Sequence, residues 1–336
     1  MKNIHKILLI KIGALGDLVD ASASFITIKE NYKNSEIYLL SDNKFRDVVK
    51  DCPIFETIFF LKGHPLKNIQ TIVKIHRKNI DMAFDIQGNL TSNIFTFLSG
   101  AKERIGFYNT IIGKLLLTKS VKRKNILNPV DGQFPILRKA GIKNFSRDIK
   151  IWISKEDRNK FISFIKTYLL DINKKWIIMH PLSSERWFTK RWPKDYFAEI
   201  SDIFINKEFQ VIFIGGKDGC NYVDEIIKKM KAEPINLCGK TDFSQMALLL
   251  EKSVLLITND SGPMHIGVAA GTKVLGIFGP TDPEKHCPPK AEYIYKKVPC
   301  GPCYKKTCDD LKCMKEITVQ QVLNKALLLL EKPPVG

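Results

Sequence analysis

The sequence predicts an α/β fold: two Rossmann-like, doubly wound parallel-sheet halves facing a cleft. Three observations carry this reading. Apolar runs of strand length alternate with helical patterns, as in parallel sheets joined by crossover helices. The alternation lapses after Phe107 and restarts at Trp176, in a chain of 336 residues, long enough for two cores. The runs also end in small-residue turns, where open α/β sheets bind ligands at the carboxyl ends of their strands.

In order along the chain, the apolar run Lys6–Ile12 reads as a buried strand and Asp17–Tyr32 as a helix. Glu36–Leu40, Thr57–Leu61 and Met82–Ile86 are further strands, with a helix over Pro65–Arg77, and Arg104–Phe107 closes the series. Residues 109–150 show no clear period and are read as loops with one short helix. Lys155–Leu170 has an amphipathic helical period, and the polar run Asp171–Lys175 reads as a turn into the second half. The expected domains are therefore 1–170 and 171–336. Strands follow at Trp176–Met179, Gln210–Ile214, Ile235–Leu237, Val254–Thr258 and Val274–Phe278, and Thr318–Glu331 forms a last helix.

Composition is that of a globular protein, 44% hydrophobic and 26% charged, with no run approaching the roughly 18 apolar residues of a spanning helix. The start, MKNIHKILLIKIGALG, mimics a leader, but Lys11 interrupts it and Asp17 follows, so it reads as a first strand and the chain as cytoplasmic. The formal charge of +18 is uneven. Residues 1–170 carry 29 Lys plus Arg against 15 Asp plus Glu, whereas residues 171–336 carry 24 against 20. A basic first half suits an anionic partner, with the densest stretch at Lys114–Lys124. A surface basic by composition alone is the competing account.

Four strand-end constellations carry chemistry. After the first strand come Gly13 and Gly16, which permit a tight turn, and Asp17. Two glycines fall short of the dinucleotide fingerprint. Asp17 reads either as a helix N-cap or as a general base for an attacking hydroxyl. In the second half His180-Pro181-Leu182-Ser183-Ser184 precedes Lys190-Arg191-Trp192-Pro193. Those hydroxyls and cations suit a diphosphate, or else form a solvated basic turn over a packed Trp192. Gly215 and Gly216 allow a ribose or ring to lie against backbone, although such turns are common.

The most informative stretch is Val254–Pro283. Its strand breaks at Asn259-Asp260-Ser261-Gly262, and Pro263 suits the first position of a helix. Free N–H groups at such a helix start suit phosphate. Asp260, Ser261 and His265 are candidates there, with plain capping as the alternative. No Ser-His-Asp ordering stands out. No apolar-flanked Asp-x-Asp clamp is present, so a departing diphosphate would need cations and helix N–H groups.

These residues resemble glycosyltransferase family 9, the ADP-heptose:lipopolysaccharide heptosyltransferases. The resemblance rests on I-G-A-L-G-D near the start, D-I-Q-G-N at Asp85–Asn89, K-R-W-P in mid-chain, and N-D-S-G-P-M-H with G-P-T-D-P near the end. It runs in order from about residue 6 to residue 320. It implies a GT-B fold, an acceptor-binding N-terminal domain, an ADP-sugar-binding C-terminal domain, and inverting, metal-independent transfer. Asp17 falls on the family's proposed base, Lys190 on the cation that contacts the donor diphosphate, and Asp260 on the carboxylate that holds sugar hydroxyls. Ser261, Gly262 and His265 fall in the nucleotide-phosphate loop, and Ser183 and Ser184 lie where hydroxyls approach the phosphates. Near Thr91 the chain lacks an arginine that the family often carries. The implied partners are ADP-heptose, an anionic lipid A–Kdo core and the cytoplasmic face of the inner membrane, approached peripherally.

Two rivals remain at this stage. One keeps the fold with another nucleotide sugar or acceptor. The other is a basic nucleic-acid binder built on Cys300, Cys303, Cys308 and Cys313, whose spacing resembles a zinc knuckle and admits structural zinc or reduced thiols. No aromatics interleave the basic run, so no nucleic acid is expected.

Overall fold

The computed structural model describes residues 4–63, 65–123 and 128–333. The chain divides into two compact units, the first ending at Trp152 and the second beginning at Ile153. Each holds one six-stranded, all-parallel sheet.

In the first unit β1 (Lys6–Ile10), α1 (Leu15–Asp20) and α2 (Ser22–Asn31) lead to β2 (Glu36–Asp42) and α3 (Arg46–Val49). Then come β3 (Thr57–Leu61), α4 (Ile69–His76), β4 (Met82–Asp85) and α5 (Leu90–Leu98). The unit continues with β5 (Glu103–Tyr108), α6 (Ile111–Leu116), β6 (Lys119–Lys122) and α7 (Phe134–Lys139). In the second, α8 (Lys155–Thr167) precedes β7 (Trp176–His180), α9 (Lys194–Asn206), β8 (Gln210–Phe213) and α10 (Cys220–Ile227). Next are β9 (Ile235–Asn236), α11 (Phe243–Lys252), β10 (Leu255–Asn259), α12 (Gly262–Ala269) and β11 (Val274–Phe278). Last are α13 (Pro283–His286), β12 (Glu292–Tyr295), α14 (Lys312–Lys315) and α15 (Val319–Glu331).

The first sheet runs β3-β2-β1-β4-β5-β6 and the second β12-β11-β10-β7-β8-β9. Each is the doubly wound order, so each has a topological switch point, between β1 and β4 and between β7 and β10. The central strands are almost wholly buried, because a central parallel strand is covered on both faces. All residues of β7, β10 and β11 are buried, and of β1 all but Lys6.

Several expectations are corrected. The helix expected over Asp17–Tyr32 is two helices meeting at Ala21, where the Ser22 hydroxyl donates to the Val19 carbonyl at 2.6 Å. Such a local bond competes with the helical ladder. Arg104–Phe107 does not close the first sheet. The short β6 pairs beyond it, and its sequence KSVK lacks an apolar run because it is an edge strand. The edge strand β12, EYIY, lacks an apolar run for the same reason.

The domain boundary also moves. Residues 153–170 group with the second unit because α8 packs there, burying Phe161 and Phe164. Its Asp157 carboxylate accepts from Ser244 at 2.9 Å, and Arg158 forms a bidentate pair with Glu251 at 2.7 and 2.9 Å. Among the described residues no helix is long and apolar enough to cross a membrane.

Candidate functional site

At the first switch point a side chain beyond β4 pins the loop beyond β1. Gln87 Oε1 accepts from the N–H groups of Ile12 and Gly13, each at 3.2 Å. A Cβ at Gly13 would run into the Phe45 ring, which would have to shift. Gly16 is buried in the first turn of α1. Asp17 is not the N-cap, because the helix starts earlier. Ala14 caps it and its N–H donates to Asp17 Oδ2 at 3.4 Å.

Asp17 is thus a first-turn carboxylate, 53% exposed, whose Oδ2 lies 3.5 Å from the Nζ of the 4%-exposed Lys11. Burial pushes the Lys11 ammonium below its usual pKa. Asp17 opposes that shift and the Arg123 charge adds to it. Arg123 also donates to the Gln87 carbonyl. Nothing in a Lys- and Arg-rich stretch marks Arg123 out in the sequence. Of the basic stretch 114–124, Lys124 lies outside the described residues.

Behind this loop Asp85, the last residue of β4, is fully buried. It accepts from Gly88 N at 2.8 Å, Asn93 Nδ2 at 2.6 Å and Thr96 Oγ1 at 3.3 Å. Burial raises its pKa to about 6, partly offset by these donors. The network holds the Gln87-Gly88 turn in place.

At the second switch point the loops after β7 and β10 are cross-linked. Asn259 Nδ2 donates to the Pro181 carbonyl at 2.8 Å, while its Oδ1 accepts from Trp192 N at 3.1 Å. Trp192 is fully buried and its indole donates to the Ile317 carbonyl at 2.8 Å, so it anchors the segment that presents Lys190. Lys190 Nζ sits 2.7 Å from Asp260 Oδ2 and 4.8 Å from the Trp187 ring centroid. Thr281 Oγ1 donates to the same Asp260 oxygen at 2.7 Å. Thr281 lies in the G-P-T-D-P loop, but its partner only the fold reveals.

Ser261 is the N-cap of α12, yet its side chain does not cap. Its Oγ instead lies 3.2 Å from His180 Nδ1 and donates to the Asn259 carbonyl at 3.1 Å. Gly262 opens the helix and Pro263 takes the second position rather than the expected first. His265 is buried on this helix. Ser183 is turned inward: its hydroxyl donates to the Trp187 carbonyl at 2.8 Å and accepts from Arg191 Nε at 3.3 Å. Ser184 stays exposed. Of the glycine pair, Gly215 is a packing position, since a Cβ would meet Leu182 and Cys238 Sγ. Gly216 has open space where a Cβ would stand, and it alone of the two leaves room for a ligand.

His180 is buried, and burial, then the Arg191 charge, depresses its pKa to about 4. A depressed folded-state pKa contributes stability that is complete above the unfolded value. It is lost as pH falls from about 6.5 toward about 4, some 3 kcal/mol in all. We expect His180→Gln to flatten that limb of a stability–pH curve. Identical slopes for variant and wild type, measured by urea unfolding, would refute the assignment.

The four clustered cysteines stand close enough together for their charges to interact. Among the described residues no group of three or more His, Cys, Asp or Glu is placed to hold a metal ion. Cys300, Cys303, Cys308 and Cys313 are free thiols, Cys300 and Cys308 exposed and Cys313 buried. Burial, followed by the three neighbouring thiols, pushes Cys313 up to about 11. Cys313 and Met314 on α14 are tucked against Gly279, and Cys308 Sγ accepts from Leu311 N at 3.4 Å.

Residues 70–314 match the sequence profile of Glycosyltransferase family 9 (heptosyltransferase). The lipooligosaccharide heptosyltransferase 2 of Campylobacter jejuni is 29% identical, covering 94% of this chain and 96% of that protein. The lipopolysaccharide heptosyltransferase 2 of Escherichia coli K12 is 25% identical, over 97% and 99%. Among solved structures, a glycosyl transferase family 9 protein from Veillonella parvula superposes with a TM-score of 0.86 at 22% identity, covering 98% and 99%. The E. coli ADP-heptose LPS heptosyltransferase II superposes at 0.78 and 20% identity, covering 97% and 98%. At these identities the superpositions bear on the fold, and it is that of the GT-B heptosyltransferases.

Proposed function

Because the chain belongs to glycosyltransferase family 9, we propose that it transfers a heptose from ADP-heptose to the inner core of lipopolysaccharide or lipooligosaccharide. The observation that carries this reading is the second switch point. There a lysine ammonium, a carboxylate and the first turn of α12 gather around the ends of β7 and β10. A cation beside the start of a helix suits a diphosphate, and the carboxylate suits sugar hydroxyls. The Campylobacter and E. coli relatives are both heptosyltransferases 2 by name, which supports addition of the second heptose.

In this proposal the first unit takes the acceptor and the second the donor. Asp17 removes the proton from the acceptor hydroxyl, whose oxygen forms the new bond to the anomeric carbon with inversion. The bond to ADP breaks, and Lys190 with the α12 N-terminus takes up the charge left on the diphosphate, without a catalytic metal. The lipid-linked acceptor and the basic first half support action at the cytoplasmic face of the inner membrane, in peripheral contact with it.

The test is transfer from ADP-heptose to Kdo-lipid A and to its mono-heptosylated form, with and without EDTA. We expect one product, made on the mono-heptosylated acceptor, of inverted anomeric configuration and indifferent to the chelator. Transfer of another nucleotide sugar in place of ADP-heptose would replace this reading with that of a different donor.

A further inference from the structure

The helix α5 is inside out. Its fully buried positions are polar, with Ser92, Asn93 and Thr96 turned toward Asp85 and only Phe95 half-buried against the apolar core, while Ile94, Phe97 and Leu98 face solvent. The neighbouring α6 comes close through Gly113, where a Cβ would collide with Asn93 Oδ1, and it exposes 79% of Ile111, 76% of Leu115 and much of Ile112. On the other side of α5, α4 exposes Ile69 and Val73. All the large hydrophobic residues exposed in the described part of the first unit lie on these three adjacent helices. A water-facing helix ordinarily shows the reverse pattern, and clustered exposed apolar side chains mark an interaction surface.

The charge around the patch indicates its occupant. None of the three helices carries an acidic residue, whereas Lys74 on α4 and Lys114 on α6 stand exposed beside the apolar positions. Arg104 lies over the Phe97 ring, 5.5 Å from its centroid. An apolar ridge fringed by cations matches the boundary between anionic headgroups and acyl chains.

We propose that the α4–α5–α6 face is the surface by which this protein docks on an anionic lipid bilayer, with Ile111 and Leu115 entering the headgroup boundary and Lys114 pairing with lipid phosphates. This deepens the peripheral-membrane part of the function proposed above and rests on it. It makes the inverted helix intelligible: its polar face holds the Asp85 network under the Gln87 loop, so docking and the loop beyond β1 are built on one helix.

The test is co-flotation of the full chain with phosphatidylethanolamine vesicles containing phosphatidylglycerol, and with phosphatidylcholine vesicles alone. We expect binding to the anionic vesicles that weakens with salt. It should fall about tenfold or more in I111E/L115E and in K114E. Both variants alter exposed side chains and should keep the wild-type Tm. Binding equal to wild type in the double variant would overturn the proposal, as would no binding by the wild type. So would a wild-type dimer that I111E/L115E converts to monomer, because the face would then join two copies of this chain. Vesicle binding needs neither donor nor turnover, so failure of the transfer reaction leaves this test intact. Transfer to a deacylated, water-soluble acceptor should be the same in wild type and I111E/L115E.

Discussion

Asp17→Asn should lower kcat for heptose transfer by about 10²–10⁴-fold while ADP-heptose affinity is unchanged, the range that removal of a general base produces. The asparagine keeps the shape of the side chain and can still accept from Ala14 N, so α1 should keep its start. What disappears is the ability to take a proton, together with the negative charge beside Lys11 Nζ. Because Asp17 opposes the burial-driven fall in the Lys11 pKa, the variant should make Lys11 easier to deprotonate. Rapid-quench kinetics with saturating donor, alongside isothermal titration of ADP, separate the two effects. A variant that turns over at the wild-type rate would show that the base lies elsewhere, and a variant that has lost the donor would point to a folding defect instead.

Lys190→Met should cost about 10²–10³-fold in kcat/KM for the donor, the scale expected when one preorganised charge at a developing anion is removed. It should also destabilise the second unit. Asp260 is buried, and removing one partner of a buried pair leaves an uncompensated charge, typically worth about 3–5 kcal/mol. Thr281 would remain as one donor to that carboxylate. The pairing allows stability and catalysis to be told apart. In K190M/D260N both charges are gone, so the Tm should return toward wild type while transfer stays lost. If restoring the Tm also restored transfer, the role of Lys190 would be structural.

The apolar central strands were legible because central parallel strands must be apolar on both faces, a pattern that survives in a single sequence. β7, β10 and β11 fall within a residue or two of their expected ends. The edge strands β6 and β12 were not legible, since KSVK and EYIY carry too little apolar signal to stand out from loops. The division of α1 from α2 comes at Ala21, beside the Ser22 hydroxyl's bond to the Val19 carbonyl, and helical periodicity carries no trace of that bond.

The candidate site divides along the same line. Asp17, Lys190, Asp260 and the turn at Ser261-Gly262 were visible because strand-end turns announce where a doubly wound sheet can hold a ligand. Their chemistry follows from residue type and position along the chain. The partnerships do not, because they join residues far apart in sequence. Gln87 on Gly13, Arg123 beside Lys11, Thr281 on Asp260 and His180 beside Ser261 arise only when parallel crossovers bring separate strand ends together. The cysteines show the same limit: their spacing permits a tetrahedral centre, and the fold adds that Cys313 is packed with α14 against Gly279. Local order thus dictates which strands are buried and which residue types stand at their ends, because those depend on burial and turn chemistry. Which side chains then share a charge, a proton or an exposed face depends on long-range packing, and the tertiary structure alone decides it.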